Sequence, residues 1–279
     1  MDANYRELTM EYTGERMVPE FSDPDTFWEH IHRYRFASKW VKGKRVLDIA
    51  SGEGYGSFGL LSTGAKSVVG IDIDENSCTH AKQKYGIDAR VGSAEDIPLE
   101  SGSIDVVVSF ETIEHVPHPE RFILEAFRVL APGGTLIIST PETRLYSPSG
   151  NLHNPYHCSE MTSEQFQTLL GKAFSRIELF GQHPKTARWW SPMSLISEST
   201  GWDRLPTMGA MRKGIWARWN PRSVSPVPEA DRQDPASLIL SDKRSLLERT
   251  ADWSAVRHLG RLGTWNPLYL VAVAQKENQ

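Results

Sequence analysis

A doubly wound α/β fold built on a mostly parallel sheet is what this sequence predicts, and three observations carry the prediction. Apolar runs and helical stretches alternate five times between residues 45 and 140. The runs are rich in Val and Ile with no polar alternation, as in strands covered on both faces. The first run, Val46-Leu47-Asp48-Ile49-Ala50, breaks into Gly52, Gly54 and Gly56, and the second, Ser67 to Ile71, ends on Asp72. A glycine-rich first turn and an acid closing the second strand make a βαβ unit that can hold a ligand at its strand ends.

Residues 1 to 22 are polar and irregular. Asp23-Pro24 marks a helix start, after which Phe27, Ile31, Tyr34, Ala37 and Trp40 recur at helical spacing up to Val41. The other faces of this helix carry His30, His32, Arg33 and Arg35, which either reach over the ligand pocket or form a solvated face. A short helix should follow Gly56, another should run from Glu75 to Tyr85, and a strand should lie around Ala89 to Val91. Ile104 to Phe110 reads as a buried fourth strand. Helix returns at Pro119, with Phe122, Ala126, Val129 and Leu130 on one face, and Pro132-Gly133-Gly134 stops it. Thr135 to Thr140 is the fifth strand. Thr162 with Gln165 fits a capping box for a helix to Gly171, Ile177 to Phe180 a sixth strand, and Leu268 to Ala274 a last strand.

The chain has 279 residues, a formal net charge of −4 and 24% charged residues. That balance argues against a general nucleic-acid binder and against disorder. Two cysteines, Cys78 and Cys158, give neither a disulfide framework nor a zinc pattern, and suit free thiols in a reducing cytoplasm. No apolar run approaches the ~18 residues of a membrane span, so a cytoplasmic location is expected.

The glycine spacing chooses between ligands. A dinucleotide fingerprint counted from Gly52 would place its third glycine at position 57, where this chain has Ser57. Asp48, Ala50, Gly52, Gly54 and Gly56 instead resemble the D-x-G/A-x-G-x-G-x-G signature of the class I S-adenosylmethionine (SAM)-dependent methyltransferases, with alanine at position 50 where glycine is common. The resemblance extends through residues 45 to 140 and implies a Rossmann-like seven-stranded sheet whose last strand closes it antiparallel. It implies SAM as cofactor, held by Asp48, Ala50, Gly52, Gly54, Gly56, Asp72, Ile73, Ser93, Ala94, Glu95 and Ser109. A carboxylate at Asp72 can accept hydrogen bonds from both ribose hydroxyls; its alternative is a helix cap. The turn Gly92-Ser93-Ala94-Glu95-Asp96 would meet the adenine, with Ser93 or Glu95 reading its amine, although Ser93 stands where many relatives have Asp. An N-terminal helix of this kind caps the SAM site in the resembled family, making Arg16 and Tyr34 candidate contacts to the methionine end.

The expected organisation is a cap over 1–44, a core over 45–181, an insertion over 182–266 and a final strand and tail over 267–279. The insertion holds Trp189, Trp190, Trp202, Trp216, Trp219, Trp253 and Trp265, with 13 Lys and Arg against eight Asp and Glu. Tryptophan faces stack on sugars and arginines hold anions, which suits a small-molecule or glycan acceptor, including an anionic one. The same residues could form a local core, or a membrane-surface segment through Met211, Ile215, Trp216 and Trp219.

Glu111-Thr112-Ile113-Glu114-His115 follows the fourth strand. Two carboxylates and an imidazole beside the methyl position suit either of two chemistries. His115 could act as base, with Glu111 beside it. By resemblance to the quinone-biosynthesis O-methyltransferases, Glu111, Glu114 and His115 could instead hold Mg²⁺. One carboxylate could also simply cap the next helix. His153 and His157, after strand five, are reserves for either role. The expected activity is methyl transfer to a hydroxyl of a small molecule, sugar or glycan; the alternatives are N-methylation of an amino sugar and a SAM-binding regulatory module without turnover.

Overall fold

The computed structural model describes residues 17–19, 22, 24–148, 154–182, 256–258 and 267–278. Arg16, His153 and the insertion tryptophans lie outside them.

In chain order the elements are α1 (Pro24–Val41), β1 (Arg45–Ile49), α2 (Tyr55–Ser62), β2 (Ser67–Asp72), α3 (Glu75–Tyr85), β3 (Asp88–Val91) and β4 (Ile104–Ser109). After a short 3₁₀ turn, Ile113–His115, come α4 (Pro119–Val129), β5 (Leu130–Pro141), α5 (Thr143–Tyr146), α6 (Ser163–Leu170), β6 (Arg176–Gln182), β7 (Val256–His258) and β8 (Tyr269–Gln275). The local signals act as expected. Asp74 caps α3 by accepting from the Ser77 N–H at 2.9 Å, and Thr162 and Gln165 form the reciprocal capping box of α6.

The sheet runs β3-β2-β1-β4-β5-β8-β6-β7. Strands β1 to β5 pair in parallel with one another, and β8 is antiparallel to both β5 and β6. These seven strands are the expected ones. The eighth, β7, is a three-residue strand from the 182–266 segment that pairs antiparallel with the outer edge of β6. Too short and polar to read as a strand, it forms because β6 presents an open edge. Strand β5 also starts earlier than the Pro132-Gly133-Gly134 stop suggests. Leu130 already pairs with Ile104, and an irregularity in register follows.

Alternation along the strands divides the interior in two. Val46, Val106, Val108, Val271 and Val273 face α1 and α2 through Phe27, Ile31, Tyr34, Ala37 and Leu60. Leu47, Ile49, Val107, Leu136, Ile138, Leu270 and Ala272 face α4 and α6 through Phe122, Ala126, Val129, Phe166 and Leu170. Both faces of the sheet are thus covered, which is why the central strands lack a polar face. The strand order reverses between β1 and β4, so the crevice at their carboxyl ends lies between Ala50 and Phe110.

Candidate active site

Both strands at that crevice end in a left-handed residue that is not glycine, Ala50 at φ 57° and Glu111 at φ 52°. Such backbone costs about 1 kcal/mol or more for a side chain with a Cβ. It swings the chain sharply off β1 and β4, so the segments beyond them face one another across the crevice.

The turn after β1 is held from several sides. Gly52 and Gly54 take φ 55° and 94°. A Cβ on Gly54 would lie 2.6 Å from the Ala81 Cβ, so this glycine lets α2 pack against α3, and a larger residue would displace α3 before it filled the turn. At Gly56 a Cβ would fall 2.0 Å from the Tyr34 ring. Tyr34 is boxed edge-on by Tyr55 and Phe110 at 5.6 and 5.1 Å, and its hydroxyl donates to both Asp48 oxygens at 3.1 and 3.2 Å. Tyr34, expected at the methionine end, has a structural place here: the buried ring fills the space left by Gly56.

Asp48 is fully buried, and Ser57 Oγ donates to it at 2.6 Å. Burial pushes its pKa up to about 7, against the opposing effect of the two hydroxyls. A folded-state pKa above the unfolded 3.8 means the charged form disfavours folding. Stability from this group is greatest below pH 4, falls as pH rises through 7 and then levels. The span corresponds to roughly 4 kcal/mol as an order of magnitude. Asp48→Asn should therefore flatten the loss of melting temperature between pH 5 and pH 8. Parallel profiles for wild type and variant would show that Asp48 titrates normally.

Glu53, which the sequence reading passed over, anchors the same turn. It is buried, accepts from the Tyr85 hydroxyl at 2.9 Å, and lies 2.9 Å from His80 Nε2 and 3.3 Å from Lys84 Nζ. Burial alone would raise its pKa, but His80, Lys84 and Tyr85 outweigh burial and hold it below the usual range. Its signal in the sequence was a charged residue inside a glycine turn, with His80 and Lys84 spaced to share one face of α3.

Asp72 sits at the end of β2 with its carboxylate spanning two N–H groups. Oδ2 accepts from Gly52 at 2.8 Å and Oδ1 from Asp74 at 3.0 Å. Each oxygen keeps a further lone pair, so the acid can tie the glycine turn and still receive two hydroxyls. The helix cap is Asp74. Next to Asp72, Ile73 is 79% exposed, an apolar surface that a purine ring would cover. In the turn beyond β3, Ser93 Oγ accepts from the Glu95 N–H at 3.1 Å, and Glu95 Oε1 accepts from His118 N–H at 2.6 Å. The Glu95 carboxylate is thus turned toward the start of α4, and Ala94 lies half-buried between them. At the end of β4, Ser109 is buried with no hydrogen-bond partner for its Oγ. An orphaned hydroxyl at the end of β4 and an exposed isoleucine and a bidentate acid at the end of β2, on either side of β1, suit a nucleoside ligand such as SAM.

The segment after β4 divides in two. Glu111 turns to β5, where Ser139 Oγ donates to its carboxylate at 2.6 Å and accepts from its N–H at 3.1 Å. Glu114 is fully buried, and neither of its oxygens has a hydrogen-bond partner. Burial, then the charge of Glu111, push its pKa well above the ordinary carboxylate value, and the charge of Arg33 offsets this only in part. His115 Nδ1 donates to the Tyr156 carbonyl at 3.1 Å. His157 meets it edge to face at 4.8 Å, stacks on Tyr146 at 5.4 Å and donates from Nδ1 to Glu160 at 2.8 Å. The loop is locked to the turn, because Cys158 and Ser159 N–H both donate to the Glu114 carbonyl, at 2.6 and 3.1 Å.

The Mg²⁺ set expected from Glu111, Glu114 and His115 is not the one that converges. Ligand atoms of Glu114, His115 and His157 come within 4.8 Å of one another, while the Glu111 carboxylate is engaged by Ser139. Two imidazoles and one carboxylate do not fit Mg²⁺, which takes oxygen ligands.

Arg33 corrects another expectation. Instead of joining a solvated face it is 1% exposed, donates to Gln182 Oε1 at 2.7 Å and lies 4.7 Å over the Tyr269 ring. Burial works against its charge, but Glu111, Tyr269 and Glu29 outweigh it and raise its pKa. The sequence could not show this, because the covering residues Gln182 and Tyr269 lie 149 and more positions away.

Comparison with known proteins agrees with this geometry. The family described as Methyltransferase domain matches residues 47–138. A protein of Mycolicibacterium smegmatis described as an S-adenosylmethionine-dependent methyltransferase is 36% identical over 60% of this chain and 65% of its own. A Mycobacterium tuberculosis protein of the same description is 33% identical over 57% of this chain and 58% of its own, so this chain spans less than two thirds of these relatives. The ubiquinone biosynthesis O-methyltransferase of Psychrobacter arcticus is 31% identical over 55% of this chain and 68% of its own. Among solved structures, a SAM-dependent methyltransferase of Thermotoga maritima superposes at a TM-score of 0.52 with 19% identity, over 90% of this chain and 93% of that one. The [4+2]-cyclase SpnF superposes at 0.53 with 18% identity, over 89% of this chain and 81% of that one, a likeness of fold alone. With the glycine turn, the acid at β2 and the strand order in place, this chain belongs to the class I S-adenosylmethionine-dependent methyltransferases.

Proposed function

We propose that this protein transfers the methyl group of SAM to a hydroxyl oxygen of a small-molecule, sugar or glycan acceptor. The observation that carries the reading is the placement of a polar cluster, Glu114, His115 and His157, beyond the end of β4, next to the β1 end that carries the glycine turn. When bound, SAM supplies a methyl already activated on a sulfonium. The protein then has to orient the acceptor oxygen in line and deal with its proton. Glu111, fixed by Ser139, and His115, fixed by the Tyr156 carbonyl, form the wall where that proton is handled. Among the relatives, one named an O-methyltransferase of ubiquinone biosynthesis lends support to an oxygen acceptor. Residues 182–266, of which only 182 and 256–258 are described, would select the acceptor through their tryptophans and arginines.

The reading is tested by incubating the protein with SAM and fractionated metabolite and glycan extracts, then measuring S-adenosylhomocysteine release and a one-CH₂ gain in mass. Cofactor binding with no release from any fraction would leave a binding module. His115→Ala should spare SAM affinity and lower turnover about 10²-fold or more. Full turnover of that variant between pH 6 and 8 would remove His115 from the chemistry.

A further inference from the structure

We propose that Glu114, His115 and His157 form a binding site for a borderline divalent metal ion of the Zn²⁺ or Co²⁺ kind. The side chain of Glu114 is fully buried and both oxygens lack a hydrogen-bond partner, as does the neighbouring Thr140 Oγ1. A carboxylate so placed needs a proton or a cation close by. Arg33 and Glu111 act on it with opposite charge effects, and two imidazoles converge on it, with ligand atoms of Glu114, His115 and His157 within 4.8 Å of one another.

The surroundings of the two imidazoles are those of metal ligands. Metal-bound histidines usually give their other ring N–H to a carbonyl or carboxylate, which fixes the tautomer and turns the remaining nitrogen to the ion. Here His115 gives Nδ1 to the Tyr156 carbonyl at 3.1 Å, and His157 gives Nδ1 to Glu160 at 2.8 Å, whose side chain is fully buried. In the proposed site the other ring nitrogen, Nε2, of each histidine would be the ligand atom. The two halves of the site come from the turn after β4 and the loop after α5, and the hydrogen bonds from Cys158 and Ser159 to the Glu114 carbonyl fasten them together. Two nitrogens and one oxygen match an imidazole-binding ion. Three protein ligands leave a coordination position open, as in catalytic sites rather than structural ones. The existence of the site is independent of the methyl-transfer reading. Its use rests on that reading: an acceptor hydroxyl at the open position would lose its proton more readily, with His115 serving as a ligand.

The test is a titration of chelator-treated, dialysed full-length protein with Co²⁺, followed by visible ligand-field absorption and then by displacement with Zn²⁺. One equivalent should bind with a spectrum of nitrogen and oxygen ligation, Zn²⁺ should displace it, and Mg²⁺ in large excess should not. Glu114→Gln and His157→Phe, the latter keeping a ring against Tyr146, should abolish the stoichiometric signal. Glu160→Gln should weaken binding about 10- to 100-fold while leaving it stoichiometric. Circular dichroism melting of each variant checks folding, and Glu160→Gln keeps the test decisive if one of the others unfolds. No stoichiometric binding, or binding unchanged in His157→Phe and Glu160→Gln, would overturn the site. A sulfur-to-cobalt charge-transfer band would also overturn it, by placing Cys158 among the ligands. None of these readouts requires turnover, so absence of the metal site and absence of methyl transfer would be told apart.

Discussion

Asp72→Ala should weaken SAM binding by about 3 kcal/mol, more than a hundredfold in Kd, while leaving a folded protein. Two losses combine. The variant lacks the carboxylate that would receive the ribose hydroxyls, and it frees the Gly52 N–H that Asp72 holds at 2.8 Å, so the glycine turn is no longer tied to β2. Asp72→Asn separates the contributions. It retains one acceptor oxygen and the shape but loses the charge, and should fall between wild type and alanine. Calorimetry gives both affinities directly. Equal affinity of Asp72→Ala and wild type, with the melting curve intact, would show that the cofactor does not lie against β2.

Gly56→Leu should be the most damaging single change in the core, destabilising by about 3 kcal/mol or more. Any Cβ at this position enters the Tyr34 ring, which cannot retreat because Tyr55 and Phe110 pack against its edges and Asp48 holds its hydroxyl. Gly56→Ala should show the same effect in smaller measure. Combining it with Tyr34→Leu should recover part of the loss, since the smaller side chain vacates the space. The coupling energy from denaturant unfolding of the four proteins measures the contact. Strict additivity would mean that Tyr34 does not hold Gly56 in place.

These two predictions differ in what made them visible. Asp72 could be identified in the sequence, because a carboxylate closing the second strand of a glycine-turn βαβ unit has its role set by local order. For the same reason the helix starts at Pro24, Glu75 and Ser163 were readable, since a cap or a proline acts within one turn. The partner of Gly56 was not readable. Tyr34 lies 22 positions earlier on another element, and nothing in the spacing of α1 distinguishes a ring that packs on glycine from one that reaches a ligand.

The active-site cluster shows the same division. The sequence singled out Glu111, Glu114 and His115 as a group because they are neighbours in the chain, and neighbours in the chain looked like neighbours in space. The left-handed residue at Glu111 breaks that inference by sending its carboxylate to Ser139 on β5, while Glu114 turns inward toward His157. The fold class, the glycine turn and its acid were determined by the sequence itself, through periodicity and short-range chemistry, and the antiparallel last strand was implied by resemblance. Which imidazole faces Glu114, what Tyr34 and Arg33 fill, and where β7 adds to the sheet were decided only by tertiary structure, because each depends on packing between segments far apart in the chain.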